Sequence, residues 1–299
     1  MAEELSGIIP PMTTPFDADG EIDEGAIRAQ ARWLIGQGVH GLAAGGSTGE
    51  GQTLDQGELR RLVATVADEA AGKVPVIAGI IVDSTRDAIR RGKAVEDLGV
   101  AALQVTPVHY LFRPDDDAML EHFRAIAGAT ALPVVIYNVV PWSYLSPALL
   151  CRIMREVPGV IGVKQSAGDL KLLADLLISA PAGSRILSAV DALLYPSFAL
   201  GAHGSIAAIL AAAPRVCVEL WDAVRRGDHA AALDRHQRLL PLWNAMVGDN
   251  LPACTKYTQT LQGCPGGQPR APMPPASAAQ QRAIRAALDG LGAARAAAE

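Results

Sequence analysis

The chain has 299 residues, of which 50% are hydrophobic and 19% charged, and a formal net charge of −5. This is the profile of a globular protein with a large core, and it excludes a disordered or fibrous chain. A mildly acidic balance without a lysine or arginine block leaves neither a nucleic-acid partner nor an anionic-membrane surface to be expected.

Short apolar runs alternate with amphipathic helical stretches up to about residue 226, the pattern of βαβ units around a parallel sheet. Eight runs are predicted as strands: Gly7 to Pro11, Gly41 to Ala44, Val74 to Gly79, Ala101 to Val105, Pro133 to Tyr137, Val160 to Lys164, Arg185 to Ser188, and Gly204 to Ala207. Most are apolar throughout, as strands covered on both faces require. The intervening helices open on good caps, with Asp55 before Gln56-Gly57-Glu58, Ser84 before Thr85-Arg86-Asp87, and Ser146 before Pro147. After residue 226 helices are predicted over Asp228 to Met246, Leu251 to Leu261 and Ser277 to Leu288. A Gly/Pro-rich stretch fills Gly263 to Pro275, and the tail Gly290 to Glu299 is expected to fray.

Eight strand-helix units in this span fit a (β/α)₈ TIM barrel, typically about 250 residues. The predicted fold is therefore α/β: a barrel over residues 1–226 with a C-terminal helical extension over 227–299. The competing doubly wound sheet lacks support, because Thr13-Thr14-Pro15-Phe16, not a GxGxxG turn, follows the first strand.

Several chemistries are excluded early. The four cysteines, Cys151, Cys217, Cys254 and Cys264, form no CxxC pair and read as reduced thiols of a cytoplasmic protein. The start Met1-Ala2-Glu3-Glu4 lacks the features of a signal peptide, and no uninterrupted apolar run reaches the ~18 residues of a membrane span. No HxH or HExxH pair is present, and His229 and His236 are expected at the surface, so neither a metal nor a cofactor is expected.

The most informative residue is Lys164, which ends the apolar run Gly159-Val160-Ile161-Gly162-Val163 and precedes Gln165-Ser166-Ala167-Gly168-Asp169. An ammonium buried at a strand end must pair with a carboxylate or shed its proton. A neutral buried amine is a nucleophile able to form a Schiff base. The alternative is a structural ion pair with Asp191 or Asp169.

In a barrel the site gathers at the C-terminal ends of the strands. There, Gly45-Gly46-Ser47-Thr48-Gly49-Glu50 offers backbone N–H groups and two hydroxyls to a carboxylate or phosphate oxygen, without the GK[ST] ending of a nucleotide loop. The fifth strand ends in Tyr137-Asn138, a phenol one strand from Lys164 that serves either as proton carrier or as a satisfied core tyrosine. Their convergence on one rim with Asp191 favours catalysis.

The series Gly46-Ser47-Thr48-Gly49-Glu50, Tyr137-Asn138, and Gly162-Val163-Lys164-Gln165 with Gly168-Asp169 resembles the dihydrodipicolinate synthase and N-acetylneuraminate lyase family of class I pyruvate-dependent aldolases. The likeness runs from Thr13-Thr14-Pro15-Phe16 to Gly201-Ala202-His203-Gly204-Ser205-Ile206 and into the C-terminal helices. The resemblance implies that Lys164 condenses with the keto group of pyruvate or another 2-oxo acid. It further implies that Ser47 and Thr48 hold the carboxylate, that Tyr137 relays protons, and that the backbone of Ile206 closes the site. Tyr110 matches the family's tyrosine contributed across a subunit contact, within a homotetramer built as a dimer of dimers.

Two departures bear on substrate. Dihydrodipicolinate synthases carry an arginine shortly after the strand-five tyrosine, whereas this chain has Val139-Val140-Pro141-Trp142-Ser143-Tyr144, and a guanidinium clamp is not replaced by Trp142 or Ser143. The acidic pair of sialic acid lyases on strand seven is half kept, since Ala192 follows Asp191. The expected function is a Schiff-base-forming lyase, aldolase or dehydratase, on a 2-oxo acid such as a 2-oxo-3-deoxy sugar acid, with Asp191 and Ser166 near a substrate hydroxyl. Trp142 and Tyr144 are candidates to pack against the rest of the substrate, and His109 is a candidate to assist acid-base steps. The alternatives are a non-catalytic 2-oxo acid sensor, or dihydrodipicolinate synthase proper despite the missing arginine.

Overall fold

Strands buried on both faces need apolar side chains throughout, and the eight predicted runs form eight parallel strands in a computed structural model describing residues 5–292. They are β1 (Gly7–Ile8), β2 (Leu42–Ala44), β3 (Val76–Ile80), β4 (Ala102–Val105), β5 (Val134–Asn138), β6 (Val160–Gln165), β7 (Arg185–Ser188) and β8 (Gly204–Ser205). Each strand pairs in sequence order from β2 to β8, and β8 pairs with β1. A parallel bridge between Pro11 and Ala43 joins β1 to β2 and closes the ring, so the expected (β/α)₈ barrel is the observed fold. The predicted first strand is longer than the observed ladder because Pro10 and Pro11 have no N–H to donate.

Helices cover the outside: α1 (Glu24–Gly36), α2 (Gln56–Ala70), α3 (Thr85–Lys93), α4 (Asp116–Ala129), α5 (Pro147–Glu156), α6 (Leu170–Ser179), α7 (Leu194–Ala199), α8 (Ala208–Ala212) and α9 (Pro214–Arg225). The three predicted caps are in place. Asp55 forms a capping box with Glu58, Ser84 accepts from the Asp87 N–H, and Ser146 accepts from the Leu149 N–H. Three further helices follow, α10 (His229–Met246), α11 (Leu251–Thr260) and α12 (Ala278–Leu291). The tail expected to fray lies, beyond Gly292, outside the described residues.

Alternation along the strands divides the core into two layers. Ile9, Ala43, Ile77, Ala102, Val135, Leu187 and Ile206 fill the barrel interior. Val163, Ile136 and Val105 face the helices, in the same buried cluster as Leu239, Cys254 and Ile284 of the C-terminal helices. One expectation fails here: His236 is buried at 8% exposure, because α10 is enclosed between α9 and α12 and sets this ring against Tyr195. Burial lowers its pKa. No described helix is long and apolar enough to cross a membrane.

Candidate active site

Val163 faces the helices, so the next residue, Lys164, turns into the barrel near the C-terminal end of β6. It is 3% exposed. Ile136 likewise sends Tyr137 inward, and the β5–β6 register pairs Tyr137 with Lys164. The Lys164 Nζ stands 3.7 Å from the centroid of the Tyr137 ring.

Burial removes water from this amine and pulls its pKa down to about 7, while the negative charge of Asp191 acts in the opposite sense. Neither candidate carboxylate pairs with it. Asp169 caps α6 by accepting from the Lys171 N–H at 2.7 Å, and the Asp191 Oδ1 accepts from the Ile209 N–H at 2.7 Å. Lys164 has no salt bridge among the described residues. Desolvation raises Asp191 to about 6, against the pull of its backbone donors and of Lys164.

The Tyr137 hydroxyl donates to the Ser47 Oγ at 3.2 Å, and burial raises the phenol to about 12. Ser47 and Thr48 sit in a single 3₁₀ turn whose preceding residue, Gly46, supplies no side-chain cap. This turn folds tightly against the barrel. A Cβ on Gly51 would meet the Gly45 carbonyl at 1.9 Å, and one on Gly79 would meet it at 2.5 Å. Lys164, Tyr137, Ser47, Thr48, Ile206 and Asp191 line one cavity of about 330 Å³. Its nucleophile, phenol, hydroxyls and carboxyl group suit carbonyl addition followed by proton transfer.

The remaining candidates divide, with Tyr144 next to the cavity through its hydroxyl's bond to the Ser166 carbonyl at 3.3 Å. Ser166 borders the cavity, but Trp142, Tyr144 and His109 do not. The Trp142 indole donates to the His109 carbonyl at 2.9 Å and the ring is 73% exposed. Tyr110 also lies outside the cavity and is 66% exposed, beside Leu111 and Phe112, which are equally open. No grouping of three or more His, Cys, Asp or Glu side chains among the described residues is placed to hold a metal ion.

Sequence reasoning missed the supports of the Gly-rich turn. Glu50 ends it with a left-handed φ of 55°, a strained conformation for a residue with a Cβ. The Glu50 Oε1 receives the Lys256 Nζ at 2.5 Å and its Oε2 receives the Arg270 N–H at 2.9 Å. Lys256 donates also to the Gln268 carbonyl, and Arg270 makes a two-pronged pair with Glu58. Thr14 of the opening motif donates to the Gly49 carbonyl at 2.6 Å. Gln104 of β4 faces inward, 1% exposed, with its amide against Gly46 and neither amide atom hydrogen-bonded among the described residues. A signal existed for Lys256, a lysine directly after Ala253-Cys254-Thr255 and before Tyr257 in a predicted helix. The outer walls formed by Asp249, Leu251, Pro252 and Met273 carried none, because their approach depends on how the last helices fold back.

The family model for the dihydrodipicolinate synthetase family matches residues 4–291. The chain belongs to this family. The 4-hydroxy-tetrahydrodipicolinate synthase of Methanopyrus kandleri is 35% identical over 295 residues, covering 98% of each chain. The enzyme of the same name from Acidiphilium cryptum is 36% identical over 96% of this chain and 98% of its own. Among solved structures, YagE, an Escherichia coli K12 prophage protein of the dihydrodipicolinic acid synthase family in complex with pyruvate, superposes with a TM-score of 0.91. It is 27% identical and covers 96% of this chain and 99% of its own. The lyase class and the pyruvate-aldolase chemistry expected from the motifs stand with that membership. Among the described residues no arginine borders the cavity, in keeping with the departure noted after strand five.

Proposed function

We propose that the protein is a Schiff-base-forming lyase acting on pyruvate or a longer 2-oxo acid, with Lys164 as nucleophile. The observation that carries this reading is a buried amine held near neutrality, unpaired, in a cavity with a phenol against it. The Lys164 Nζ adds to the keto carbon, and the carbinolamine loses water to give the imine. Tyr137 stays protonated at neutral pH, so it supplies the proton for the departing hydroxyl and recovers it through Ser47. Ser47 and Thr48 hold the acid's carboxylate, and the backbone of Ile206 closes the far side. Asp191 holds its place by capping α8 and biases the charge of Lys164, with one edge open to a substrate hydroxyl. The protein works as a homotetramer in the cytoplasm. Tyr110 reaches the relay of a neighbouring copy, from a patch too apolar to stay in water: Tyr110, Leu111, Phe112 and Trp142 are each more than 60% exposed.

Incubation with pyruvate and borohydride should attach a reduced adduct to Lys164, located by peptide mass, and Lys164→Ala should abolish both adduct and turnover. A folded wild-type protein that gains no adduct would sink the mechanism. The names of the relatives favour dihydrodipicolinate synthase proper as a second reading. The cavity opposes it: among the described residues Lys164 is its only basic lining residue, and on this reading the amine is committed to the imine. Condensation of pyruvate with a carboxylate-bearing aldehyde at high kcat/KM would decide for that alternative.

A further inference from the structure

The cavity around Lys164 does not end at its outer wall. A second hollow of about 650 Å³, open to solvent on its outer side, abuts it, and the two share Gln52, Asp249 and Met273 as a partition. Its far wall is Pro272, Pro274 and Pro275, from the loop between α11 and α12.

Past the partition the polar side chains of this hollow are already engaged with one another, whereas Gln52 and Asp249 on the partition itself have no side-chain partner among the described residues. Asn250 and Gln280 bond amide to amide, at 3.2 Å and 2.9 Å in the two directions, and the Gln280 Oε1 also receives the Ser277 N–H. The Thr53 hydroxyl donates to the Glu50 carbonyl. Glu50 is taken by Lys256 and the Arg270 N–H, and the Arg270 guanidinium by Glu58 and the carbonyls of Gly20 and Thr53. What remains for a ligand is the proline and methionine surface. A thioether adapts its shape to the group that meets it. The loop is a built wall, since Gln268 pairs with Phe16 and its carbonyl receives Lys256.

Charge points the same way. The catalytic cavity has two acidic residues, Asp191 and Asp249, against the single base Lys164. Asp249, one of the residues the two cavities share, is exposed and without a partner among the described residues. A second carboxylate on the substrate would meet this negative rim with no cation free to receive it.

We infer that the second chamber is a tail subsite, and that the substrate is a 2-oxo acid with one carboxylate and an uncharged, mainly apolar tail of several carbons. This rests on the imine reading and narrows it away from sugar acids, whose hydroxyls would find no unsatisfied side chain beyond Gln52 and Asp249 at the partition.

Calorimetric titration of the full chain with pyruvate, 2-oxo-5-phenylpentanoate, 2-oxoadipate and a 2-oxo-3-deoxy sugar acid tests it, with borohydride trapping of pyruvate run in parallel. Each methylene buried is worth about four-fold in affinity. The phenyl-tailed acid should bind at least ten-fold tighter than pyruvate, and 2-oxoadipate no tighter than pyruvate. Pro274→Trp, which fills the chamber, should cut the ratio of the two affinities by about ten-fold. A phenyl-tailed acid that binds no better than pyruvate, or worse than the sugar acid or 2-oxoadipate, overturns the inference, and the wild-type titrations alone decide this if the variant misfolds. Failure of pyruvate trapping would speak against the imine and leave the tail titrations to be judged by themselves.

Discussion

Lys164 owes its chemistry to one step of strand alternation. The same backbone turned by one residue would send its amine among the helices, where only an ion pair could keep it. Inside the barrel burial lowers it to about 7, so the free amine gains population as pH rises through neutrality. The rate of imine formation with pyruvate should therefore climb with pH and level off above about 8. The same shift acts on stability. Between pH 7 and the ordinary lysine range the unfolded chain holds a proton that the folded chain has released, so this residue's contribution favours folding increasingly as pH rises across that window. Lys164→Met should flatten that part of a pH–stability profile measured by denaturant unfolding. Tyr137, raised to about 12, keeps its proton throughout. Tyr137→Phe should reduce kcat by about 10²–10⁴-fold while the pyruvate adduct on Lys164 still forms, a pattern readable from steady-state rates beside trapping yields.

At the scale of elements, the turn after β2 is held by parts of the chain far away in sequence. The Lys256 and Glu50 side chains are 2% and 0% exposed, so neither charge has water to fall back on. Lys256→Met should cost about 3–5 kcal/mol in denaturant unfolding, because it strands a buried carboxylate. It should also raise KM for the 2-oxo acid, since Glu50 ends the turn bearing Ser47 and Thr48. Adding Glu50→Gln should recover a large part of the stability. The strands and their order were legible because each run is apolar throughout and bounded by capped helices. The inward aim of Lys164 and Tyr137 followed from motif and strand end together. Lys256, Arg270 and Gln104 were not legible, because their partners come from segments whose approach is set by packing and not by local pattern. His236 was misplaced for the same reason: a polar helix sequence does not announce that two other helices enclose it.

For the whole molecule, the barrel was readable from eight strand-helix units and the family from three motifs in register, while the substrate end depends on the folding back of the last helices. Four large apolar side chains, Tyr110, Leu111, Phe112 and Trp142, stand open together on loops beside the barrel mouth. Leu111 even holds a left-handed φ of 65°. Replacing Leu111 and Phe112 by serine should shift sedimentation toward smaller species and lower turnover in step with dissociation, if Tyr110 serves a neighbouring copy. A fully active, stable monomer would remove Tyr110 from the mechanism.

The ion pair between Glu50 and Lys256 also orders events during synthesis. A ribosome delivers the eight strands, the nucleophile and the phenol well before residue 256 leaves its exit tunnel. Until then the strained end of the turn proposed to hold the carboxylate lacks its clamp. A nascent barrel thus holds the proposed nucleophile without a finished seat for the acid, and on the proposed mechanism activity awaits the final helices.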